Sequence, residues 1–596
     1  MFKKSILVFS VAIAAGLLMT SCKGSKGNSN KVYKDQVVIH GLSDAKGLNP
    51  ITTSDAYANQ YIVPNIFQTL LAYDHQTMEI LPVLAKSRPV IRLNGDIAEL
   101  DFELRPEAAW DNGAPITVDD ILFSFKTAFC PNINNDNIKP GVDFIKDIKT
   151  YPDNNRKLTV ICNKYIGMED GVGTTIAIMP EYVYDPQHVL RKYPFAAFAA
   201  EHSPAAKDAA IKTFADNFNS EKVARDSSLV KGSGAYRLLS FETGQRLIIE
   251  RKANWWGDKI KKENEYFEAY PKRLVFETIN DFNTALTALV DEKLDFIYVT
   301  PVKEYIELDN SPKFKDNFVK SEPQMLSYQA IGVNNKDKIL SDVKVRQALC
   351  YLTNVDQIIQ KVLYGKAIRT IGSILPMKKE EYNNNITPYP FDVEKAKALL
   401  AEAGWKDSDG DGVLDKEIDG QKTKFEIAYN YNAGNPLRET VGLLIQRTYK
   451  QAGIIVNIKP LDWSLYLDEL KKHNCQLFYQ GWVKQPTPDD EKQVFHTSSA
   501  NGGSNYMNFG NAKTDALIDQ IRTEMDVKKR AELYKEWQQI THDEVPYIFL
   551  YVQNFRNCVH NRFENIKAGP VYPGAWFAAF KVKEGYKVEG QEAAKK

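Results

Sequence analysis

The sequence predicts a large mixed α/β protein built from several lobes. Its 596 residues are 43% hydrophobic and 26% charged, an ordinary globular composition that suffices for more than one core. Short β-branched or alternating runs, typical of strands, are interleaved along the chain with helical segments that have clear start and stop signals. Lysine plus arginine and aspartate plus glutamate number 76 each, so no net charge favours nucleic acid, and we expect no nucleic-acid partner.

The N-terminus has the layout of a secretory signal. Two lysines precede an apolar run over residues 6–19, which is shorter than the roughly 20 residues that a membrane-spanning helix needs. Ser21 directly before Cys22 resembles the lipobox of bacterial lipoproteins, in which the cysteine is lipidated and becomes the mature N-terminus. We expect a signal peptide over residues 1–21 and a lipidated flexible tether over residues 22–35. The protein would then be exported and held at the cell envelope by lipid, facing the periplasm or the outer surface. A plain secretory signal cut near Ser21 is the alternative.

Caps and turn residues mark the helices. Asp342 is placed to cap one helix, and Asp392 starts another that Gly404 follows. A long helix is predicted over residues 527–544, because Pro546 forces an extended segment after it. The strand candidates lie at residues 37–40, 98–104, 157–162 and 246–250.

Five motifs in order along the chain carry a resemblance to a known family. The most diagnostic is LRPEAAWDNGAPIT at residues 104–117, followed by Asp119 and Asp120. The others lie at residues 47–74, 232–236 with 254–256, 342–356 and 391–405. From about Val37 to Phe580 the chain resembles a family-five extracellular solute-binding protein, the class containing dipeptide- and oligopeptide-binding receptors of ABC importers.

The resemblance implies a periplasmic-binding-protein-like type II clamp, with two lobes, an extra inserted small domain and a ligand cleft between the lobes. Ligand binds in the cleft, and hinge closure buries it. In peptide-binding relatives an extended peptide is held like an added β-strand. The expected domains are lobe I over residues 36–72, 226–300 and 553–590, domain II over residues 73–225, and lobe III over residues 301–552.

The resemblance places the ligand-binding residues on three segments. The loop over residues 55–60 lies where relatives touch the ligand backbone, and a glycine in the wall of the second lobe lets that backbone approach closely. After Pro546, alternating aromatic residues are expected to share one face of a strand near the hinge, with plain core packing as the alternative. The predicted ligand-binding residues are Tyr57, Asn59, Gln60, Trp463, Gly481, Trp482, Gln485, Phe549 and Tyr551.

Gln485 departs from the family pattern. Peptide-binding relatives usually carry an aspartate at this place, which pairs with the free α-amine of the peptide. A neutral amide lacks that charge, a difference of about 1 kcal/mol or more in a closed cleft. Lys484 next to it disfavours a cationic ligand end further, and Asp489 and Asp490 fit better as solvated loop residues or helix caps than as substitutes. Peptide transport stays the expected use, without recognition of a free N-terminus by a carboxylate.

An acidic loop has the oxygen spacing of a calcium site. Asp407, Asp409, Asp411 and Asp415 follow that spacing, but Ile418 stands where a bidentate glutamate is needed. We expect a polar β-turn here and no cofactor, with bound calcium as the alternative. The eight histidines have no metal-ligand spacing, and the sequence has no nucleophile elbow or phosphate-binding loop, so we expect no enzyme.

The expected function is that of a lipid-anchored, monomeric substrate-binding protein of an ABC importer. It would capture oligopeptides by hinge closure and deliver them to permease subunits in the membrane. Within the same fold, the alternatives are a non-peptide solute (a nickel chelate, haem or an oligosaccharide) and a sensor or adhesion lipoprotein. An exported hydrolase is the remaining alternative, disfavoured because the sequence has no catalytic motif.

Overall fold

The computed structural model describes residues 32–589 in two units. In the smaller unit, the strands Val32–Lys34 and Lys587–Glu589 pair in parallel. The larger unit, Asp35–Lys583, contains the sheets and helices that follow. The predicted signal peptide, Cys22 and most of the predicted tether lie outside the described residues.

A seven-stranded sheet is assembled from distant parts of the chain. The strands Gln36–Gly41 and Arg273–Thr278 pair in parallel at its centre. Val37 and Ile39 on the first of them are fully buried, as is typical of an inner strand. The strand Phe318–Ser321 joins this sheet although it lies in the range predicted for lobe III, and the domain boundaries stay a prediction. In spatial order the strands are Phe318–Ser321, Asn557–His560, Phe296–Ile297, Gln36–Gly41, Arg273–Thr278, Arg246–Arg251 and Tyr236–Glu242.

A four-stranded antiparallel sheet follows within the range predicted for domain II. The helix Val118–Phe129 packs against it and begins with a capping box formed by Thr117 and Asp120. Asp120, part of the most diagnostic motif, therefore has a structural role. In spatial order the strands are Val90–Asn94, Ile97–Glu103, Asn154–Asn163 and Ile145–Tyr151.

A six-stranded sheet is buried on both faces. Tyr328 and Ala330 pack into one core, whereas Ile331 and Val333 pack into another on the opposite face. The strands, in spatial order, are Ala367–Arg369, Tyr547–Gln553, Ser327–Val333, Leu477–Val483, Glu426–Asn432 and Ile455–Leu461. Two-stranded pairs are Leu71–Tyr73 with Ile80–Pro82, Asp415–Ile418 with Gln421–Lys424, and Phe563–Glu564 with Lys581–Val582.

The predicted helix caps are confirmed. The Asp342 carboxylate accepts the N–H of Lys344, and that of Asp392 accepts the N–H of Lys395. The α-helices are Val63–Ile66, Val118–Phe129, Met168–Thr174, Glu181–Tyr184, Phe195–Ala199, Ala209–Phe218, Glu221–Arg225, Phe282–Val290, Val302–Glu307, Pro312–Asn317, Val343–Leu352, Val355–Gln357, Val393–Glu402, Pro436–Lys450, Trp463–Lys471, Lys492–Phe495, Ala512–Thr523 and Val527–Glu544. Short 3-10 helices are Lys139–Gly141, Val189–Lys192, Pro204–Lys207, Trp256–Ile260, Glu265–Phe267, Leu308–Asn310, Thr497–Ser499 and Phe577–Ala579, and π-helical turns are Ala58–Ile62 and Ile358–Val362.

The cysteines of the described residues are buried free thiols: Cys130, Cys162, Cys350, Cys475 and Cys558. Burial raises the pKa of Cys130, Cys162, Cys475 and Cys558 to about 12. Their thiols are therefore unreactive near neutral pH. Between residues 32 and 589, no helix has both the length and the apolar character needed to cross a bilayer.

Candidate functional site

The predicted N-terminal contact loop leads into an unusual helical segment. A π-helical turn, Ala58–Ile62, runs directly into the α-helix Val63–Ile66, with Pro64 in its first turn. The Asp55 carboxylate holds the loop by accepting the N–H of Tyr57 at 3.0 Å. Because π-helical turns are rare and are frequent at functional sites, this segment is a candidate for ligand contacts.

Two glycines of the third motif lie directly against this helix. A Cβ on Gly232 would stand 2.1 Å from the Ile66 carbonyl oxygen, and one on Gly234 would stand 2.4 Å from the Asn65 carbonyl oxygen. The N–H of Gly234 donates to the Ile66 carbonyl oxygen at 2.8 Å. Only glycine leaves room for this backbone contact.

The residue between the two glycines anchors both tryptophans of the motif. The carbonyl oxygen of Ser233 accepts the indole N–H of Trp255 at 2.8 Å and that of Trp256 at 3.0 Å. The Lys252 ammonium donates to the Gly232 carbonyl oxygen and pairs with Asp111 of the most diagnostic motif, both at 2.6 Å. Two family motifs therefore act together to hold the helix Val63–Ile66.

A cavity of about 340 Å³ lies beside this helix. It brings together two of the predicted ligand-binding residues, Asn59 and Gln485, which are far apart in sequence. Its volume falls at the lower end of the range for small-molecule pockets. Apolar lining comes from residues such as Val63, Phe67 and Val571. Besides Asn59 and Gln485, the polar lining residues are Gln68, Thr69, Tyr73, Thr174, Thr175 and Tyr266.

Tyr57, Gln60 and Trp463 lie outside this lining. The buried Tyr57 hydroxyl has no hydrogen-bond partner among the described residues, and its ring lies so close to Gly41 that a Cβ there would be 2.5 Å from the hydroxyl oxygen. Gln60 is half-buried on the π-helical turn. Trp463 is 54% exposed and begins the helix Trp463–Lys471.

Gly481 and Trp482 lie on an inner strand of the six-stranded sheet, also outside the cavity lining. A Cβ on Gly481 would be 2.7 Å from both the nitrogen and the oxygen of the Gln329 side-chain amide, so this side chain covers the glycine. The indole N–H of Trp482 donates to the Tyr547 hydroxyl at 3.2 Å, and the two rings of Trp482 and Tyr506 are stacked. Contact of Gly481 and Trp482 with ligand stays a prediction.

The prediction that the alternating aromatic residues Tyr547, Phe549 and Tyr551 share one face of their strand is wrong. Tyr547 and Phe549 pack into one core of the six-stranded sheet, but Tyr551 packs into the core on the other side. The cause is an irregular register opposite Gln329 and Ala330, which turns the strand between Phe549 and Tyr551. Phe549 is 9% exposed and Tyr551 is fully buried, with its hydroxyl 2.7 Å from that of Tyr479.

A buried cluster of charges lies directly after Trp482. The Lys484 ammonium is 2.9 Å from Glu491 and 3.2 Å from Asp489, and the Lys378 ammonium is 2.9 Å from Asp489. Asp489 is 4% exposed, so its prediction as a solvated loop residue is wrong. Lys484 is neutralised by these carboxylates and does not present the free positive charge that was expected beside Gln485.

Hydrogen bonds connect the domain II range to the lobe III range close to this cluster. The Tyr165 hydroxyl and the Arg522 guanidinium both donate to one carboxylate oxygen of Asp490, at 3.0 and 2.9 Å. The N–H of Ile166 donates to the Arg522 carbonyl oxygen at 2.9 Å. Nearby, burial raises the pKa of Asp170 to about 6, against the opposing effects of Thr174, Thr487 and Lys378.

The acidic loop is held by lysines and backbone N–H groups. Ligand oxygens of Asp407, Asp409 and Asp415 lie within 4.8 Å of one another, whereas Asp411 is outside this group. Lys422 pairs with Asp409 at 2.7 Å, and Lys424 pairs with Asp411. Asp407 accepts the N–H groups of Gly410, Asp411 and Gly412. These bonds are those of a polar turn, and calcium binding stays untested.

Most of the cavity lining was not predicted from the sequence. Gln68 and Tyr73 lie in the first family motif, in which ligand contacts were predicted for the loop over residues 55–60 instead. Thr174 and Thr175 come from the end of a short helix that carries no motif, and Val571 comes from near the C-terminus. These residues share a position in the folded protein but no local sequence pattern, so the sequence alone could not predict that they line one cavity.

Comparison with known families identifies the class. Residues 79–505 match the family model described as bacterial extracellular solute-binding proteins, family 5 middle. Because the match covers well over half of the chain, the protein belongs to this family. The periplasmic-binding-protein-like type II clamp with an extra domain, predicted from the resemblance, is thereby confirmed as the fold class.

Individual relatives differ in what they bind. Oligopeptide-binding protein AppA of Bacillus subtilis is 24% identical to this chain, and the alignment covers 95% of this chain and 97% of AppA. The structure of AppA in complex with a nonapeptide has a TM-score of 0.68 at 22% identity and covers 93% of this chain and 100% of the AppA chain. Heme-binding protein A of Haemophilus influenzae is 24% identical over 90% and 92% of the two chains. The structure of NikZ from Campylobacter jejuni with Ni(L-His) has a TM-score of 0.65 at 21% identity and covers 90% and 96%. Such similarity establishes the fold and leaves the solute open.

Proposed function

We propose that this protein is the substrate-binding component of an ABC importer and that it captures peptides outside the cytoplasm. The observation that carries the proposal is the cavity shared by Asn59 and Gln485, one from the opening family motif and one from the later half of the chain. Its lining comes from the ranges predicted for lobe I and domain II, with Gln485 from the range predicted for lobe III, and this supports a ligand site where the lobes meet. The peptide-binding relative AppA, which aligns with nearly the whole chain, supports a peptide over other solutes.

The proposed mechanism is conformational and needs no bond-breaking chemistry or cofactor. Ligand that contacts both lobes favours the closed arrangement, and the permease recognises that arrangement. Tyr165 and Ile166 are suited to fasten the closed form, because the Tyr165 hydroxyl donates to Asp490 and the Ile166 N–H donates to the Arg522 carbonyl oxygen, which joins the domain II range to the lobe III range. ATP hydrolysis belongs to the partner.

The proposed location follows from the N-terminal sequence. Lipid on Cys22 would hold the protein at the cell envelope, facing the periplasm or the outer surface, and the polar residues after it would act as a tether. We propose a monomer, since a receptor that delivers one ligand at a time needs no second copy.

Native mass spectrometry tests the proposed ligand class. Protein expressed from residue 24 onward and purified gently should carry a ladder of masses that differ by amino-acid residues, because peptides bound in the cell co-purify. Release under denaturing conditions and fragmentation then give their sequences. A single nickel chelate, haem or sugar as the bound species would instead support the non-peptide alternative and contradict peptide capture.

A further inference from the structure

The cavity shared by Asn59 and Gln485 is lined without charged side chains. None of its lining residues is an aspartate, glutamate, lysine, arginine or histidine. Charged neighbours of the lining residues are engaged with other groups: Lys484 with Asp489 and Glu491, Glu265 with His75, and Asp170 as acceptor of the Thr174 hydroxyl at 2.9 Å. A free ammonium or carboxylate inside the cavity would lose part of its hydration and would find no charged side chain in the lining.

Two of the lining residues carry a buried polar atom that lacks a partner among the described residues. The side-chain oxygen of Gln68 and the hydroxyl of Tyr73 have no hydrogen-bond partner among the described residues, although Gln68 is only 5% and Tyr73 only 8% exposed. Leaving such groups unpaired is costly, and buried polar groups of folded proteins are normally satisfied. An amide is complementary to both, because its N–H suits the Gln68 oxygen and its carbonyl oxygen suits the Tyr73 hydroxyl.

We propose that this cavity binds an uncharged amide segment of the ligand and excludes a free α-ammonium or α-carboxylate. The segment is either a blocked peptide end, such as an N-acyl terminus, or an interior peptide bond of a longer chain. This inference rests on the proposed function, since it specifies which part of a peptide enters the cavity. Gln485 fits the same chemistry, because it contributes a neutral side-chain amide to the lining.

Peptide sets that differ only in their ends test the inference with the full-length protein. The probes are an alanine-valine pentapeptide with free ends, its N-acetylated form, its form with both ends blocked, and a free-ended nonapeptide of the same composition. By calorimetric titration we expect the doubly blocked pentapeptide to bind at least about tenfold more tightly than the free-ended one, a factor of ten being about 1.4 kcal/mol. Comparable binding of the free-ended nonapeptide identifies an interior peptide bond as the occupant, whereas weak nonapeptide binding identifies a blocked end.

Three substitutions connect the effect to the cavity. Gln68→Leu and Tyr73→Phe should each weaken binding of the doubly blocked pentapeptide about tenfold while leaving the melting temperature of the ligand-free protein unchanged or raised, because no existing hydrogen bond is lost. A merely structural role would lower that temperature. Gln485→Asp should shift preference toward the free-ended pentapeptide.

Two outcomes would contradict different claims. If free-ended pentapeptide binds as tightly as the doubly blocked form, or if Gln68→Leu and Tyr73→Phe bind like the unchanged protein, the uncharged-segment inference is wrong while peptide capture stands. If no peptide binds and a non-peptide solute co-purifies, the proposed function itself is wrong.

Discussion

Replacing Asp489 with alanine is expected to lower the free energy of unfolding by about 3–5 kcal/mol, the range found when one partner of a buried ion pair is removed. Asp489 lies between two buried ammonium groups, at 2.9 Å from that of Lys378 and 3.2 Å from that of Lys484. Without the carboxylate, Lys378 keeps only the Thr487 carbonyl oxygen among its described contacts, and Lys484 keeps Glu491. The two buried ammonium groups would lose the carboxylate that lies between them.

Chemical denaturation of both proteins at pH 7 measures this difference. The matched control is Asp468→Ala, which removes an exposed pair with Lys472 and should cost well under about 1 kcal/mol. Equal stability losses for Asp489→Ala and Asp468→Ala would contradict the buried network.

The Asp489 carboxylate should also make the stability of the protein depend on pH in a defined direction. Burial acts to raise the pKa of Asp489, but Lys378 and Lys484 outweigh it and hold the pKa below its ordinary value. The folded state therefore binds this proton less readily than the unfolded state. The stability contribution of Asp489 is present above the ordinary aspartate pKa and is lost as pH falls through the lowered value. The difference in stability between Asp489→Asn and the unchanged protein should accordingly shrink in acid.

Replacing Gly232 with alanine is expected to destabilise the protein by about 3 kcal/mol, the upper end of the usual cost of overpacking. The added Cβ would meet the Ile66 carbonyl oxygen at 2.1 Å. That oxygen belongs to backbone already fixed by the N–H of Gly234, so it cannot swing aside as a flexible side chain would. The same substitution should weaken ligand binding, because the displaced helix Val63–Ile66 carries part of the cavity wall.

Thermal denaturation with and without ligand separates the two effects. Gly141→Ala is the control, since its Cβ would meet only the Thr175 methyl at an ordinary 3.7 Å. Equal melting temperatures for Gly232→Ala and Gly141→Ala would contradict the close contact between Gly232 and the Ile66 carbonyl oxygen.

Local signals in the sequence were sufficient for individual elements. Asp342 and Asp392 could be predicted as helix caps because a cap depends on residues within one turn, and the helix Val527–Glu544 ends where Pro546 requires it. Gly232 and Gly234 could be recognised as part of a family motif. The reason that glycine is needed there is close contact with the carbonyl groups of Asn65 and Ile66, which are distant in sequence and meet the glycines only in the folded protein.

The candidate site depended on features that no local pattern encodes. Asp489 has the neighbours of a solvated loop residue, yet it is buried because Lys378, over a hundred positions away in sequence, reaches it. Strict alternation predicted one face for Phe549 and Tyr551, and a single irregularity in strand pairing placed them in different cores. Asn59 and Gln485 were found from the family resemblance, whereas Gln68 and Tyr73 become visible only once the cavity is formed.

A distance measured across the cleft tests ligand-driven closure most directly. Spin labels on Lys139→Cys and Lys379→Cys occupy exposed positions in the domain II and lobe III ranges, in protein expressed from residue 24 onward. The buried native thiols, with the pKa of Cys130, Cys162, Cys475 and Cys558 raised to about 12, should not compete for the label. Addition of a binding peptide should replace a broad distance distribution with a shorter, narrower one. A distribution that stays unchanged while calorimetry reports peptide binding would contradict capture by closure.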